Sequence, residues 1–526
     1  MTPCQYKETY KSKLLASLVQ PLDVTQKFIV HRPRSSKLLF FAIGALTMLS
    51  FAPVGWFWVA PLLLIPLLYT CSVLPPKRAA GIGFWYGAGL FLTGTYWLYI
   101  SIHVYGEAPL WIAIFIMLAL VTIMGFYYAL ALWLISRLSA GQPLRFLAAA
   151  PAVWVAVEWL RGWFLSGFPW MSMGYSQIDS PLAGLAPLVG VYGLSLAVLI
   201  SVSAIVVALF SDGRTRTAAV VIIFLPWLSG ALLQPLSWTK ASGPDVKTTI
   251  VQGGVSQDRK WLRDQFWSTL NMYRASIAAH PDSDLIIWPE VALPARIDQI
   301  ESYLNEIENE VRSGKQTLLL GILELNAAEE ALYNSMLLLG TPHGEPRQVY
   351  RKRHLVPFGE YFPVPAFVRS WMRMMSLPYS DLAAGADEQA LLVTAAGNTL
   401  ALAICYEDAY GAEQLYAMPE AAILINVSND AWFGDSIAPH QHLEIARMRA
   451  LEVGRYAVRV TNNGISAFIG PDGAILERGA QFEYVAMTRY VTPMGGSTPY
   501  ARVGNWPVIT LCLLLMAGLA YRLPKT

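Results

Sequence analysis

Eight long apolar runs and one segment of mixed pattern divide the chain. The runs are "LLFFAIGALTMLSFAPV" (38–54), "WFWVAPLLLIPLLYTCSVL" (56–74), "GIGFWYGAGLFLTGTYWLYISI" (81–102), "PLWIAIFIMLALVTIMGFYYALALWLI" (109–135), "FLAAAPAVWVAVEWLRGWFL" (146–165), "LAPLVGVYGLSLAVLISVSAIVVALF" (185–210), "AAVVIIFLPWLSGALLQPL" (218–236) and "VGNWPVITLCLLLMAGLAY" (503–521). Charges are nearly absent along each, and a hydrocarbon core is crossed by roughly 20 apolar residues, so each run predicts a membrane span. Between the seventh and the eighth, from about Asp245, the pattern changes. Short apolar strands at 247–254, 284–290, 317–325, 334–340, 399–407 and 421–428 alternate with segments at 258–280, 295–314 and 442–460, whose apolar residues recur at steps of three and four. Residues 462–478 predict a hairpin turning at Pro471, Asp472 and Gly473. Strand–helix alternation of this kind predicts an α/β domain.

Composition supports the division. Of 526 residues, 55% are hydrophobic and only 14% charged, with a mean hydropathy of +0.42. A soluble enzyme carries about a quarter charged residues, so a membrane protein is expected. A net charge of +2 gives no reason to expect a nucleic-acid partner.

The position of the basic residues says more than their sum. Residues 1–37 form a basic tail with Lys7, Lys11, Lys13, Lys27, Arg32, Arg34 and Lys37, and no small-residue cleavage site follows before the next span. Placing this tail in the cytoplasm puts the basic loops 75–81, 136–145 and 211–217 and the end of the chain inside. Loops 103–109 and 166–181, which have no Lys or Arg, then fall outside. The expected organisation is a cytoplasmic tail at 1–37, seven transmembrane helices within 38–239, an external catalytic domain at 240–497 and a final span at 503–521.

Four cysteines are present: Cys4 in the tail, Cys71 and Cys512 within spans, and Cys405 in the external domain. Cys405 lies toward the end of the strand "TLALAICYE" (399–407), followed by Tyr406, Glu407 and Asp408. An unpaired thiol facing an oxidising compartment is a liability unless it has a task. Thiol catalysis needs a base and a group that stabilises the developing oxyanion. Glu290 closes the strand "DLIIWPE", and Lys352 follows an expected strand in "YRKRHLVPFGEY". Strand ends of an α/β sheet meet in one crevice, so Glu290, Lys352 and Cys405 form a candidate Glu–Lys–Cys site. His440 and His442 have a spacing seen in metal sites, but no cysteine or carboxylate cluster completes a ligand set, and no metal is expected. Glu158 and Arg161, three apart on the fifth span, are placed to pair on one helical face. No G-x-S-x-G elbow, P-loop or H-E-x-x-H occurs.

The ordered set "IIWPE", "KRHLVPFGEY", "ICYED" and "NVSNDAWFG" resembles the nitrilase superfamily. Together with the spans and the loop "GFPWMSMGYSQ" (167–177), nearly the whole chain resembles the apolipoprotein N-acyltransferase family, the membrane-bound branch of that superfamily. The resemblance implies an α-β-β-α sandwich on a bundle of about eight transmembrane helices, with the sandwich on the periplasmic side of a bacterial inner membrane. It implies Glu290 as general base, Lys352 as oxyanion-stabilising cation and Cys405 as nucleophile, with Trp261, Glu360, Tyr406 and Glu407 in supporting or substrate-binding roles. It further implies a phospholipid acyl donor such as phosphatidylethanolamine, a diacylglyceryl-cysteine apolipoprotein as acceptor, a thioester intermediate, and no cofactor. Two other classes are weighed against it: a membrane-anchored nitrilase or amidase acting on a small carbon–nitrogen substrate, and a transporter with an external sensory domain. Eight spans exceed what anchoring needs, and only Glu158 and Arg161 hint at a transport path.

Overall fold

A computed structural model describes residues 29, 31–326, 328–342, 345–357, 359–361 and 382–523. Most of the basic tail, including Cys4, lies outside these residues. Among those described, apolar helices overlap all eight runs: α1 (Pro33–Thr47), α2 (Val59–Val73), α3 (Pro76–Gly94), α4 (Leu110–Ser139), α5 (Pro143–Arg161), α6 (Ala186–Phe210) and α7 (Gly213–Leu233), with Trp506–Tyr521 near the end of the chain. Four segments, Leu110–Ser139, Pro143–Arg161, Pro181–Phe210 and Gly213–Leu233, are long and apolar enough to cross a membrane, while Val59–Val73 and Trp506–Tyr521 are shorter apolar helices. Trp111 and Phe115 on α4, Phe224 and Leu228 on α7, and Leu514 near the C-terminus are exposed. Contiguous apolar surface of this kind is what a lipid-facing bundle presents.

The α/β domain holds two six-stranded sheets. A short strand β1 (Thr239–Ala241) leads into β2 (Val246–Gln252), β3 (Leu285–Ile287), β4 (Thr317–Asn326), β5 (Ala331–Leu339) and β6 (Gln348–Arg351). Then come β7 (Leu392–Val393), β8 (Thr399–Ile404), β9 (Ile423–Ser428), β10 (Ala457–Thr461), β11 (Ala467–Ile469), β12 (Ile475–Arg478), β13 (Val485–Val491) and β14 (Met494–Gly496). One sheet has the order β13-β2-β3-β4-β5-β6, the other β12-β11-β10-β9-β8-β7, and β1 pairs with β14.

Alternation along the strands builds the layers. Ile250, Leu285, Ile287 and Leu319 of one sheet meet Leu402, Ile404, Ile425 and Val458 of the other in a shared core. The opposite faces, with Val251, Ile286 and Leu318, bury the helices α8 (Arg263–Ala279) and α9 (Glu301–Ser313) through Leu270, Ile277, Leu304 and Val311. A third helix, α10 (Ala438–Val453), covers the second sheet with Leu443, Ala446 and Ala450. The result is an α-β-β-α sandwich.

Helix α10 has a second apolar face. Ala438, Ile445, Met448 and Leu451 belong to the core of the membrane bundle. A helix apolar on both sides is buried on both sides, so α10 is the joint between sandwich and bundle. The sequence pattern suggested one helix over 442–460, but the structure ends it at Gly454, whose φ of +63° gives the left-handed cap that glycine adopts freely. The chain then re-enters the sheet as β10. Likewise α8 begins at Arg263 rather than 258, because residues 257–260 form a turn.

Candidate active site

Sheet polarity brings three chain segments to one crevice. β2, β3 and β4 are parallel; β5 and β6 each reverse, so β6 runs with β3. Glu290 and Lys352 therefore leave the first sheet at the same end. β8, β9 and β10 are parallel in the second sheet, and Cys405 and Asp430 follow β8 and β9 at their C-terminal ends. Gly321 permits the approach: a Cβ there would stand 2.3 Å from the Pro289 carbonyl oxygen and 2.8 Å from Glu290 Cα. A side chain at 321 would push the Glu290 turn off β4.

Glu290 is buried and held by three donors. Asn334 Nδ2 donates to Oε1 at 2.7 Å, Lys352 Nζ lies 3.3 Å from the same oxygen, and the Asn429 backbone N–H donates to Oε2 at 2.7 Å. Lys352 Nζ is 2.9 Å from Glu360, which also accepts from Asn334 Nδ2 at 3.1 Å and from the Val356 N–H at 2.9 Å. Burial alone would lower the Lys352 pKa. The charges of Glu360 and Glu290, with the Cys405 thiol, outweigh burial and hold the ammonium well above the ordinary lysine value.

Cys405 is partly buried, with a left-handed φ of +54° that a side chain adopts at a cost of order 1–3 kcal/mol. Burial and the Glu290 charge push its thiol up to about 12, with Lys352 acting in the opposite sense. A resting thiol of this kind requires a base at the moment of attack.

The supporting residues divide into three groups. Glu407 is fully buried and turned toward the backbone of Ile404 and of the segment after Lys352. Its carboxylate accepts from the N–H groups of Ile404 at 2.6 Å, Arg353 at 2.6 Å and His354 at 3.2 Å, and from Tyr350 Oη at 3.0 Å. It ties the Cys405 turn to the Lys352 segment. Tyr406 faces the membrane bundle: its hydroxyl donates to the Gly167 carbonyl at 3.3 Å and its ring stacks on Trp170 at 6.4 Å. Tyr410 donates to Ser166 O at 3.0 Å, and Ser166 Oγ lies 2.8 Å from Tyr361 Oη. Trp261 is 53% exposed and, among the described residues, makes no side-chain hydrogen bond or ring contact. Its neighbour Lys260 is the buried one, with Nζ 3.5 Å from the Glu290 carbonyl and a pKa lowered to about 8 by burial against the pull of Glu290.

Glu158 and Arg161 do not pair with each other. Glu158 Oε1 accepts from the Met173 N–H at 2.7 Å, while Arg161 donates to Phe168 O at 2.8 Å and to Ser172 Oγ at 3.2 Å. Both brace the loop that carries Trp170, because its turns leave backbone groups that need partners away from water. Sequence reasoning missed Asn334, Asn429, Asp430 and Arg459, and named His442 only for its spacing from His440. Asn429 and Asp430 stood within the quoted "NVSND"; Asn334 and Arg459 interrupt apolar strands, the one signal that was available. Among the described residues no group of three or more His, Cys, Asp or Glu side chains could hold a metal.

A sandwich of this topology, with a glutamate, a lysine and a cysteine at converging strand ends, defines a carbon–nitrogen hydrolase domain, and the model of that family, Carbon-nitrogen hydrolase, matches residues 247–493. The model of the Apolipoprotein N-acyltransferase N-terminal domain matches residues 43–205. A protein of Methylococcus capsulatus named apolipoprotein N-acyltransferase is 40% identical over 477 residues, covering 90% of this chain and 94% of its own. One of the same name from Azotobacter vinelandii is 42% identical over 488 residues, covering 91% and 93%. The chain belongs to the apolipoprotein N-acyltransferase family. Among solved structures, a nitrilase-superfamily protein of Saccharomyces cerevisiae is 19% identical, covers 48% of this chain and 93% of its own, and has a TM-score of 0.37.

Proposed function

We propose that the protein transfers an acyl chain from a membrane phospholipid, through a thioester on Cys405, to the α-amine of a diacylglyceryl-cysteine at an apolipoprotein N-terminus. Glu290 takes the thiol proton as Sγ attacks the ester carbonyl. Lys352 stabilises the oxyanion of the tetrahedral intermediate. Its collapse expels the lysophospholipid alkoxide, which recovers the proton from Glu290, and leaves the thioester. The acceptor amine then attacks the thioester carbonyl and gives a proton to Glu290. The second intermediate expels Cys405 sulfur, which is reprotonated, and an amide remains. Glu360 keeps Lys352 charged and in place. Phosphatidylethanolamine suits the donor role, and no cofactor enters any step.

The observation that carries this reading is the wall of the site. Gly167, Ser166 and Trp170, from the loop after α5, touch Tyr406, Tyr410 and Tyr361 beside the nucleophile. In the same loop Trp163, Phe164 and Leu165 expose their side chains. An apolar lip joined to the crevice favours acyl chains delivered from lipid over a small soluble amide, and it limits the entry of water that would hydrolyse the thioester.

Incubation with phospholipid alone tests it. Wild-type protein is expected to gain one fatty-acyl mass on Cys405, removable by neutral hydroxylamine, and Cys405→Ala to gain none. Release of free fatty acid, or hydrolysis of small amides without acyl transfer to a diacylglyceryl-cysteine peptide, supports the amidase reading instead. We further propose that the sandwich lies on the periplasmic side of the inner membrane. In spheroplasts, an impermeant thiol reagent is then expected to label a cysteine introduced in an exposed loop of 240–497 and to spare one introduced at 211–217.

A further inference from the structure

His442, on α10, is almost fully buried and lies between two hydrogen-bond acceptors. Nδ1 is 3.1 Å from Asp430 Oδ1, and Nε2 is 3.1 Å from the carbonyl oxygen of Cys405. A carbonyl has no proton to give. Asp430 has none either: Oδ1 accepts from Ser428 Oγ at 2.7 Å and Oδ2 from Arg459 Nη2 at 2.7 Å. Arg459, then His442, outweigh burial and hold this carboxyl well below the usual range. A neutral imidazole has one N–H and serves one acceptor; the doubly protonated ring serves both.

We propose that His442 is a positioning residue of the acyl-transfer reaction: an imidazolium, oriented by Asp430, that donates to the Cys405 carbonyl and fixes the left-handed turn presenting the nucleophile. The proposal rests on Cys405 being that nucleophile. Without a donor on this carbonyl, the turn in which Cys405 has φ of +54° loses one bond that anchors it. The cation also offsets the Asp430 charge, which by itself raises the Cys405 thiol. Trp170 packs beside the ring, with centroids 5.6 Å apart and the two planes tilted by 54°. The charged groups around the ring are thus Asp430 with Arg459 behind it from the second sheet, and Cys405 from the strand end. On its own helix Glu444 turns to the Ala52 N–H and Arg449 to Glu452.

Two measurements on the full chain in phospholipid-free detergent micelles decide it, and neither uses an acyl donor or acceptor, so they stand apart from the test of acyl transfer. In histidine-¹⁵N-labelled wild-type protein, the ring assigned by its contact with Trp170 is expected to show both nitrogens protonated at neutral pH. One bare nitrogen at neutral pH overturns the proposal. In His442→Gln, which donates once and carries no charge, alkylation of Cys405 by iodoacetamide is expected to slow roughly tenfold at neutral pH, with its pH midpoint displaced upward. An unchanged alkylation profile in a folded variant also overturns it. A residue that only fills space moves the melting temperature and leaves that profile in place. Should His442→Gln fail to fold, the nitrogen spectrum of the wild-type protein still decides.

Discussion

Gln441 accepts the indole N–H of Trp170 at 2.7 Å. The bond joins α10 of the sandwich to the loop after α5. The same oxygen takes the Trp97 indole N–H at 3.2 Å, and the Gln441 amide donates to the Gly94 carbonyl at 3.2 Å. One side chain therefore ties two membrane-side elements to the helix that also bears His442.

Gln441→Leu leaves the Trp170 indole without an acceptor, at a cost of about 1–3 kcal/mol, and frees the loop that walls the site. Phospholipid-dependent acylation of Cys405 is expected to fall at least about tenfold if one such bond is lost. Alkylation by a small reagent should stay near the wild-type rate, since the loop's side of the site is met through Tyr406, Tyr410 and Tyr361. Equal losses in both assays would show that Gln441 supports the whole sandwich rather than the lipid-facing wall.

Asn334 bridges the two carboxylates that flank Lys352. Asn334→Ala removes the 2.7 Å donor from Glu290 and the 3.1 Å donor from Glu360 and leaves two anions sharing one ammonium. The single-turnover acylation rate is expected to drop by about 10²–10³, the scale of losing one preorganised donor. Apparent affinity for phospholipid should change little. Asn334→Asp, which adds a third carboxylate, should be slower still.

The joint between sandwich and bundle carries a pH dependence of definite sign. Burial raises Glu444 to about 8 and Glu452 to about 7. Glu444 Oε1 accepts from the Ala52 N–H and Glu452 Oε1 from the Val191 N–H, both in the membrane region. A carboxyl whose folded pKa is raised binds its proton more tightly in the folded state. Its contribution is complete below the unfolded value near 4.5 and is lost as pH rises through about 7 to 8. The slope is up to about 1.4 kcal/mol per pH unit for each group. Thermal stability should therefore decline between about pH 5 and 8. Glu444→Gln keeps the acceptor and removes the titration, so its melting temperature is expected to exceed wild type above about pH 8 and to fall less steeply.

The fold was legible where pattern is strong. The apolar runs, the strands of both inner faces and the residues at strand ends follow from periodicity and from sheet geometry. What stayed hidden depends on three-dimensional partners. Nothing in "EVGRYAVRV" marks Arg459 as the buried partner of Asp430, and one glycine decides where helix gives way to strand. Lys260 and Trp261 are adjacent, yet the chain turns so that the lysine is buried and the tryptophan exposed, a choice made by the turn at 257–260 and invisible to composition. Glu407 was legible as a neighbour of Cys405, but its direction was not.

That direction yields a sharp expectation. Glu407 accepts four hydrogen bonds from Ile404, Arg353, His354 and Tyr350, and burial raises its pKa while these backbone donors work against the shift. All four donors face a carboxylate. In Glu407→Gln an amide nitrogen replaces one oxygen and sets N–H against N–H, at a cost of about 1–3 kcal/mol for each donor left unpaired. The strained Cys405 turn and the Lys352 segment are the two pieces that this carboxylate holds in register. Glu407→Gln is therefore expected to lose thioester formation as completely as Glu290→Gln, with a lowered melting temperature. A Glu407→Gln enzyme that still forms the thioester and fails only in passing the acyl chain to the amine would instead place Glu407 in the handling of the acceptor.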